Sequence, residues 1–241
     1  MVVEADETTL LLDCGFSLRS TLLRLSRLGV SPDHLSAILV THEHSDHIQG
    51  VFRLAERFDL PVLITAGAWR SIPGADQCRQ CRLLENVEDA FAFNGLSVQP
   101  FVVPHDAAEP VQYAFSDGKS RLGVLTDVGE ITPHIIEKIG VCDALVIECN
   151  HDAGLLDKSP YPAWLKRRIA GGQGHLENGQ AADLLRNTDT SRLQHILAAH
   201  LSAENNRKEI AAHALADALG CENEWIGVAD QESGFSWREI L

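Results

Sequence analysis

The chain has 241 residues, 45% of them hydrophobic, and a formal net charge of −14. That length suits one large domain or two small ones with a sizeable core, and the charge disfavours loose adhesion to nucleic acid or anionic membrane. It does not exclude a nucleic-acid substrate, because bound dications would offset several carboxylates. No apolar stretch reaches the length of a membrane span, and the first residues, MVVEADETTLLLD, carry acids where a signal peptide carries bases. The expectation is a cytoplasmic protein without a membrane partner; composition leaves the oligomeric state open.

In chain order, Leu10-Leu11-Leu12 reads as a short strand ending at Asp13, and Ser17 to Leu28 as a helix stopped by Gly29. Ser31-Pro32 starts a helical turn, and Ala37 to Val40 is a buried strand. Asp46 to Phe58 has Ile48, Val51, Phe52 and Ala55 on one helical face. Pro61 to Thr65 is a strand, with a further helix after Gly67. Extended segments follow at 90 to 93, 96 to 103, 111 to 116 and 121 to 126, the last two joined by the turn signal Ser116-Asp117-Gly118-Lys119. Thr132 to Ile139 is helical and Ala144 to Ile147 is a buried strand. Pro160 to Ile169 and Gln180 to Arg186 are helical, and His195 to Ala199 is a strand. Glu204 to Leu219 is a long amphipathic helix, and Trp225 to Trp237 suggests closing strands. Strands alternating with helices, without repeats or a linker, predict one α/β domain over 1–241.

The strand at 37 to 40 opens into Thr41-His42-Glu43-His44-Ser45-Asp46-His47. Three imidazoles and a carboxylate in seven residues, on a loop held by a buried strand, are the donors that zinc-like cations take. Four such groups exceed the needs of one tetrahedral ion with a vacant catalytic position, so the spacing suggests two ions. The same device recurs. His105 follows Phe101 to Pro104, Asp127 follows Val124 to Thr126, and His200 follows Ile196 to Ala199. Any one of these strand tips is an ordinary capping residue; together they point to a shared site.

HxHxDH at 42 to 47 with His105, Asp127 and His200 resembles the metallo-β-lactamase superfamily. That resemblance implies an αβ/βα four-layer sandwich with two metals. His42, His44 and His105 would bind the first ion, Asp46, His47 and His200 the second, and Asp127 both. Asp13 would support a ligand histidine from behind. The segments Glu148 to Asp152, Tyr161 to Ile169, Gly174 to Asn178 and Ala199 to Asn206 narrow the likeness to YycJ/WalJ-type proteins. The narrower resemblance implies metal-dependent phosphodiester cleavage, including 5′-to-3′ exonuclease action on DNA, with a metal-bridging hydroxide as nucleophile and catalytic roles for Asp46 and His175; the sequence leaves the preference between DNA and RNA open. The order of motifs is also similar to ribonuclease Z, in which His175 would fall at a proton-donor position. Glu148, Asn150, His151, Asn178 and Asn205 are candidates for supporting ligands or touching substrate. His-rich ligation suits zinc, and shared carboxylates also admit manganese or iron.

The sequence departs from that pattern twice. The family opens with a strand and a Gly/Ser-rich turn; Met1-Val2-Val3-Glu4 reads as the strand after that turn, so the expectation is that this sequence lacks the first strand and the turn. Glu177 stands where Ser is more usual, at a phosphate contact or a helix cap. Outside the site, Lys166-Arg167-Arg168 is the one basic run, either a solvated helix face or a backbone contact for nucleic acid. Cys14, Cys142 and Cys149 read as buried reduced thiols, and Cys78-Arg79-Gln80-Cys81 as an incidental or structural CxxC. Competing functions are a small cyclic or nucleotide phosphodiesterase, a thioester hydrolase of the same fold, and a non-catalytic metal-stabilised binding protein.

Overall fold

The computed structural model describes residues 1–241. It divides into two compact units. One comprises Met1–Val102 with Ala107–Val111, the other Val103–Asp106 with Gln112–Leu241.

In the N-terminal unit, β1 (Val2–Ala5) and β2 (Thr8–Leu12) form an antiparallel hairpin, with Val2 opposite Leu11. Helix α1 (Leu18–Arg27), capped by the Ser17 side chain, leads to β3 (Ala37–Leu39), which pairs parallel to β2 with Leu10 opposite Ala37. After α2 (Ser45–Ile48) and α3 (Val51–Phe58), β4 (Val62–Ile64) joins β3 in parallel. Helix α4 (Ala66–Ser71) then precedes β5 (Cys81–Leu83), giving the order β1-β2-β3-β4-β5. β2 and β3 are buried throughout, the pattern of strands covered on both faces. Their Leu11 and Ile38 pack in one cluster with Leu25 of α1, Val51 and Leu54 of α3, and Val62 and Ile64 of β4. β6 (Phe91–Phe93) and β7 (Leu96–Val102) close a second hairpin through Asn94 and Gly95. Both turn residues have positive φ, 48° and 93°, as a two-residue turn matched to strand twist requires.

The C-terminal unit takes all but the first residue of β8 (Val111–Ser116), antiparallel to β9 (Arg121–Leu125). Helix α5 (Pro133–Ile139) crosses to β10 (Ala144–Glu148), parallel to β9. Three helices, α6 (Ala153–Lys158), α7 (Ala163–Ile169) and α8 (Asn178–Arg186), intervene before β11 (His195–Ala199), parallel to β10. Helix α9 (Lys208–Leu219) returns the chain to β12 (Gly227–Val228), parallel to β11. The carboxyl ends of β9, β10 and β11 therefore open on the same side, where α/β sheets place their sites.

Several elements differ from the sequence expectation. The helix expected over 46 to 58 is two helices, because the Gly50 amide bonds to the Cys14 carbonyl and leaves the helical ladder. The helix expected from Glu204 starts at Lys208. Before it the Asn205 amide bonds to Ser202 Oγ, and the Arg207 amide, at φ −141°, bonds to Asn206 Oδ1. The helix expected from Pro160 starts at Ala163, after Pro162 as its cap, since the residue before a proline disfavours helical backbone. Helix α6, capped by Asp152, and strand β5 at the second cysteine of the CxxC were not anticipated. The closing strands expected over 225 to 237 reduce to β12 and one tight turn at Asp230–Gly234.

Candidate metal centre

In the N-terminal unit, Asp13 directly follows β2 and Thr41 stands just beyond β3. The Thr41 amide donates to Asp13 Oδ1 at 2.9 Å and its hydroxyl to Oδ2 at 2.8 Å. This clamp fixes the first residue of the histidine loop. Thr41 Oγ1 lies 3.0 Å from His42 Nδ1, and Asp13 Oδ2 lies 2.8 Å from His47 Nδ1. Both rings are thus held from behind and present Nε2. His42 Nε2 stands 2.9 Å from His44 Nδ1, and His47 Nε2 3.7 Å from Asp46 Oδ2. Burial would raise the Asp13 carboxyl, but the charge and hydrogen bond of His47 and the Thr41 amide outweigh it and hold Asp13 below the usual carboxylate range. The loop is seated tightly: the Cys14 amide bonds to the His47 carbonyl at 2.8 Å, and a Cβ on Gly15 would fall 1.5 Å from the Asp46 carbonyl oxygen.

In the C-terminal unit the organising group is Glu148, the last residue of β10 and fully buried. Its Oε1 lies 2.9 Å from His175 Nδ1 and 2.8 Å from His200 Nδ1. Its Oε2 accepts from the amides of Val128 at 2.8 Å and Leu176 at 3.2 Å. Burial opposes ionisation, yet the two imidazole hydrogen bonds keep Glu148 below its ordinary pKa. Asp127 Oδ1 lies 3.5 Å from both of those nitrogens and 3.8 Å from His105 Nε2. His105 bonds through Nδ1 to the Gly174 carbonyl at 3.0 Å and likewise presents Nε2. Burial lowers its pKa despite the Asp127 charge. For His175, burial is outweighed by the Glu148 hydrogen bond and by the Glu148 and Asp127 charges, and its pKa is raised. Asp127, Glu148, His175 and His200 each bring a donor atom within 4.8 Å of the others.

Two features of this donor set fit divalent cations. Imidazoles are tied at Nδ1 to a hydroxyl, carboxylate or carbonyl, the arrangement found behind metal-ligating histidines. In addition, Asp13, Asp127 and His200 all sit at positive φ near 55°, uncommon backbone for non-glycine residues and typical of functional sites.

The structure sorts the remaining candidates. Asn150 supports His200, donating from Nδ2 to its carbonyl at 3.1 Å. Asn178 is buried in a reciprocal amide pair with Asn206, which also donates to the Cys149 carbonyl. His151 and Asn205 are about 1% exposed, and His151 Nδ1 and Asn205 Oδ1 have no hydrogen-bond partner. Burial lowers the His151 pKa. Glu177 is the helix cap of α8: its side chain accepts an amide of the first turn, and Gln180 Oε1 accepts its own amide at 3.0 Å. Thr41, the Gly174 carbonyl and Asn206 were not singled out from sequence. Thr41 alone carried a signal, as a hydroxyl at the strand end beside the histidines.

A family model described as "Beta-lactamase superfamily domain" matches residues 8–196. The chain is 37% identical over 237 residues to "Exodeoxyribonuclease YycJ" of Bacillus anthracis, covering 95% of this chain and 87% of that one. It is 32% identical over 231 residues to "Exodeoxyribonuclease WalJ" of Streptococcus pneumoniae, covering 94% and 86%. Among solved structures, the metallo-beta-lactamase fold protein YhfI from Bacillus subtilis superimposes with a TM-score of 0.72 at 17% identity, over 98% of this chain and 89% of that one.

Proposed function

The chain belongs to the beta-lactamase superfamily of metallo-hydrolases and has its fold, and from that premise we propose that it is a dinuclear phosphodiesterase, a 5′-to-3′ exonuclease acting on DNA. The relatives named as exodeoxyribonucleases support this reading. We assign His42, His44 and His105 to one ion, Asp46, His47 and His200 to the other, and Asp127 to both, within one family domain. Two divalent ions supply a nucleophile at neutral pH and neutralise charge on phosphate. Zinc is the preferred metal for so many imidazoles.

The observation that carries the reading is the set of groups behind the ligands. Thr41, Asp13, Gly174 and Glu148 bond the Nδ1 atoms of His42, His47, His105 and His200 respectively. Rings so fixed hold their Nε2 atoms without rearrangement when a cation binds. His175 is the proton donor in this reading. Its Nδ1 is occupied by Glu148 and its side chain is 24% exposed, which leaves Nε2 for a leaving-group oxygen.

The test is degradation of 5′-phosphorylated duplex DNA by the metal-loaded protein. Nucleotides are expected from the 5′ end, activity is expected to vanish with chelator and return with zinc or manganese, and His44→Ala is expected to be inactive with reduced metal content. A folded, fully metallated wild type that releases nothing sinks the nuclease reading. Turnover of cyclic nucleotides or thioesters in its place would favour the small-substrate alternatives.

A further inference from the structure

Helix α7 carries the basic run, and none of its residues is buried. Trp164 is 61% exposed, more than every other exposed large hydrophobic except the C-terminal Leu241. Leu165, Lys166 and Ile169 of this helix are half-buried while the indole faces solvent, so it adds little to the core, and an exposed indole beside cations offers a face on which a base can stack. The adjacent cations are unusual for a chain with net charge −14. Arg168 is paired with Asp106 at 2.6 Å. Arg167 has no acidic partner, and Lys166 Nζ donates to the neutral carbonyl of Asp157, so two positive charges stay uncompensated.

The helix is also tied to the catalytic groups of its own unit. Asp106, which holds Arg168, has its other oxygen 3.6 Å from His105 Nε2. The Ile169 carbonyl at the helix end accepts the His175 amide at 2.8 Å, and the Gly174 amide bonds to the Gly171 carbonyl at 2.8 Å. Both His105 and His175 are therefore connected to α7 by short hydrogen-bonded links.

We propose that α7 is a docking surface for the single-stranded end of a DNA substrate, with Trp164 stacked on an unpaired base and Arg167 and Lys166 on the flanking phosphates. The inference rests on the phosphodiesterase reading and adds its substrate contacts. Stacking on a side chain needs a base free of its own helix, so the surface selects unpaired strand. The cations bind phosphate without sequence preference. The charge pattern favours this occupant: a local positive face on an acidic molecule attracts a polyanion at one place and repels it elsewhere.

The experiment measures binding of a labelled, 5′-phosphorylated phosphorothioate single strand to the full-length, metal-loaded protein by fluorescence anisotropy. Trp164→Ala is expected to weaken binding about tenfold and Trp164→Phe to restore most of it, as loss and retention of one stacked base predict. Arg167→Ala is expected to flatten the slope of log affinity against log salt by about 0.7, one single-strand phosphate contact. Trp225→Ala, at an exposed tryptophan outside α7, serves as the control with unchanged binding. If Trp164→Ala binds within about twofold of wild type, with the salt slope unmoved by Arg167→Ala, the surface is overturned. Hydrolysis of bis(p-nitrophenyl) phosphate by wild type separates the two readings. A wild type that cleaves this diester but binds no oligonucleotide overturns the surface and keeps the phosphodiesterase. A wild type that binds through Trp164 but cleaves neither diester nor DNA keeps the surface and removes the phosphodiesterase.

Discussion

Glu148 receives four donors: two imidazole nitrogens at one oxygen and two backbone amides at the other. Only an ionised carboxylate has acceptors enough for that set. In Glu148→Gln the shape is kept, but one oxygen becomes an NH2 group facing donors. The expected result is a loss of about 2–4 kcal/mol of stability, read by urea unfolding, because a buried group is left unsatisfied and a charge-assisted network is broken. Metal affinity is expected to fall about 10–100-fold, read by competition with a chromophoric chelator, as for other groups behind metal-bound histidines. Unchanged unfolding and unchanged metal affinity together would show that Glu148 is not the anchor described above. The residue was legible in sequence only as a candidate, an acid closing the apolar run Ala144 to Ile147. Its two imidazole partners lie 27 and 52 residues away, and no local pattern announces a pairing at that range. Asp13, Asp127 and His200 were legible as strand tips, because a short apolar run ending in a ligand-type residue is a local signal. Their shared left-handed backbone was not, since aspartate and histidine are tolerated there without being required.

At the scale of elements, the segment from α7 to α8 sets where His175 stands. Its turn is so close that a Cβ on Gly174 would lie 2.2 Å from the carbonyl oxygens of both Arg168 and Ile169. The Gly174 carbonyl also holds His105. Gly174→Ala must therefore push the turn away from α7, at a cost of about 1–3 kcal/mol, and move His105 and His175 together. Activity is expected to fall more steeply than stability, because positioning errors near 1 Å cost about a hundredfold in rate. Melting temperature and turnover measured on the same preparation check this; an alanine variant with wild-type turnover would show that the turn has slack. The elements that sequence reading located well, such as α1, β3, β10 and β11, have continuous apolar periodicity and clear caps. Those it misplaced owe their ends to distant partners: Gly50 leaves the helix for Cys14, and Asn206 is committed to Asn178 and Cys149 before α9 can begin. The six-residue α6 depends on the Asp152 cap, a signal too short to outweigh turn chemistry.

For the whole molecule, no helix is long and apolar enough to cross a membrane, and all six cysteines are free thiols. Cys14, Cys142 and Cys149 are buried, as their apolar surroundings in the sequence implied, while Cys78, Cys81 and Cys221 are half-buried. Burial pushes the Cys142 thiol up to about 11 and raises Cys149 and Cys14 as well. Burial and the hydrogen bond with Cys78 push Cys81 up to about 12. Reactivity follows the thiolate and its access. At about pH 8 a thiol with a pKa near 11 is ionised in about one molecule in a thousand, and in the fold it is also shielded. Iodoacetamide is the suitable probe, being neutral, since a net charge of −14 would repel an anionic reagent. Mass spectrometry of the native protein is expected to find Cys78 and Cys221 carbamidomethylated first and Cys81 more slowly. Cys14, Cys142 and Cys149 are expected to react only when urea unfolds their units. Labelling at Cys149 as fast as at Cys78 in native protein would mean that β10, and with it Glu148, opens to solvent below the unfolding transition, which contradicts the rigid carboxylate anchor.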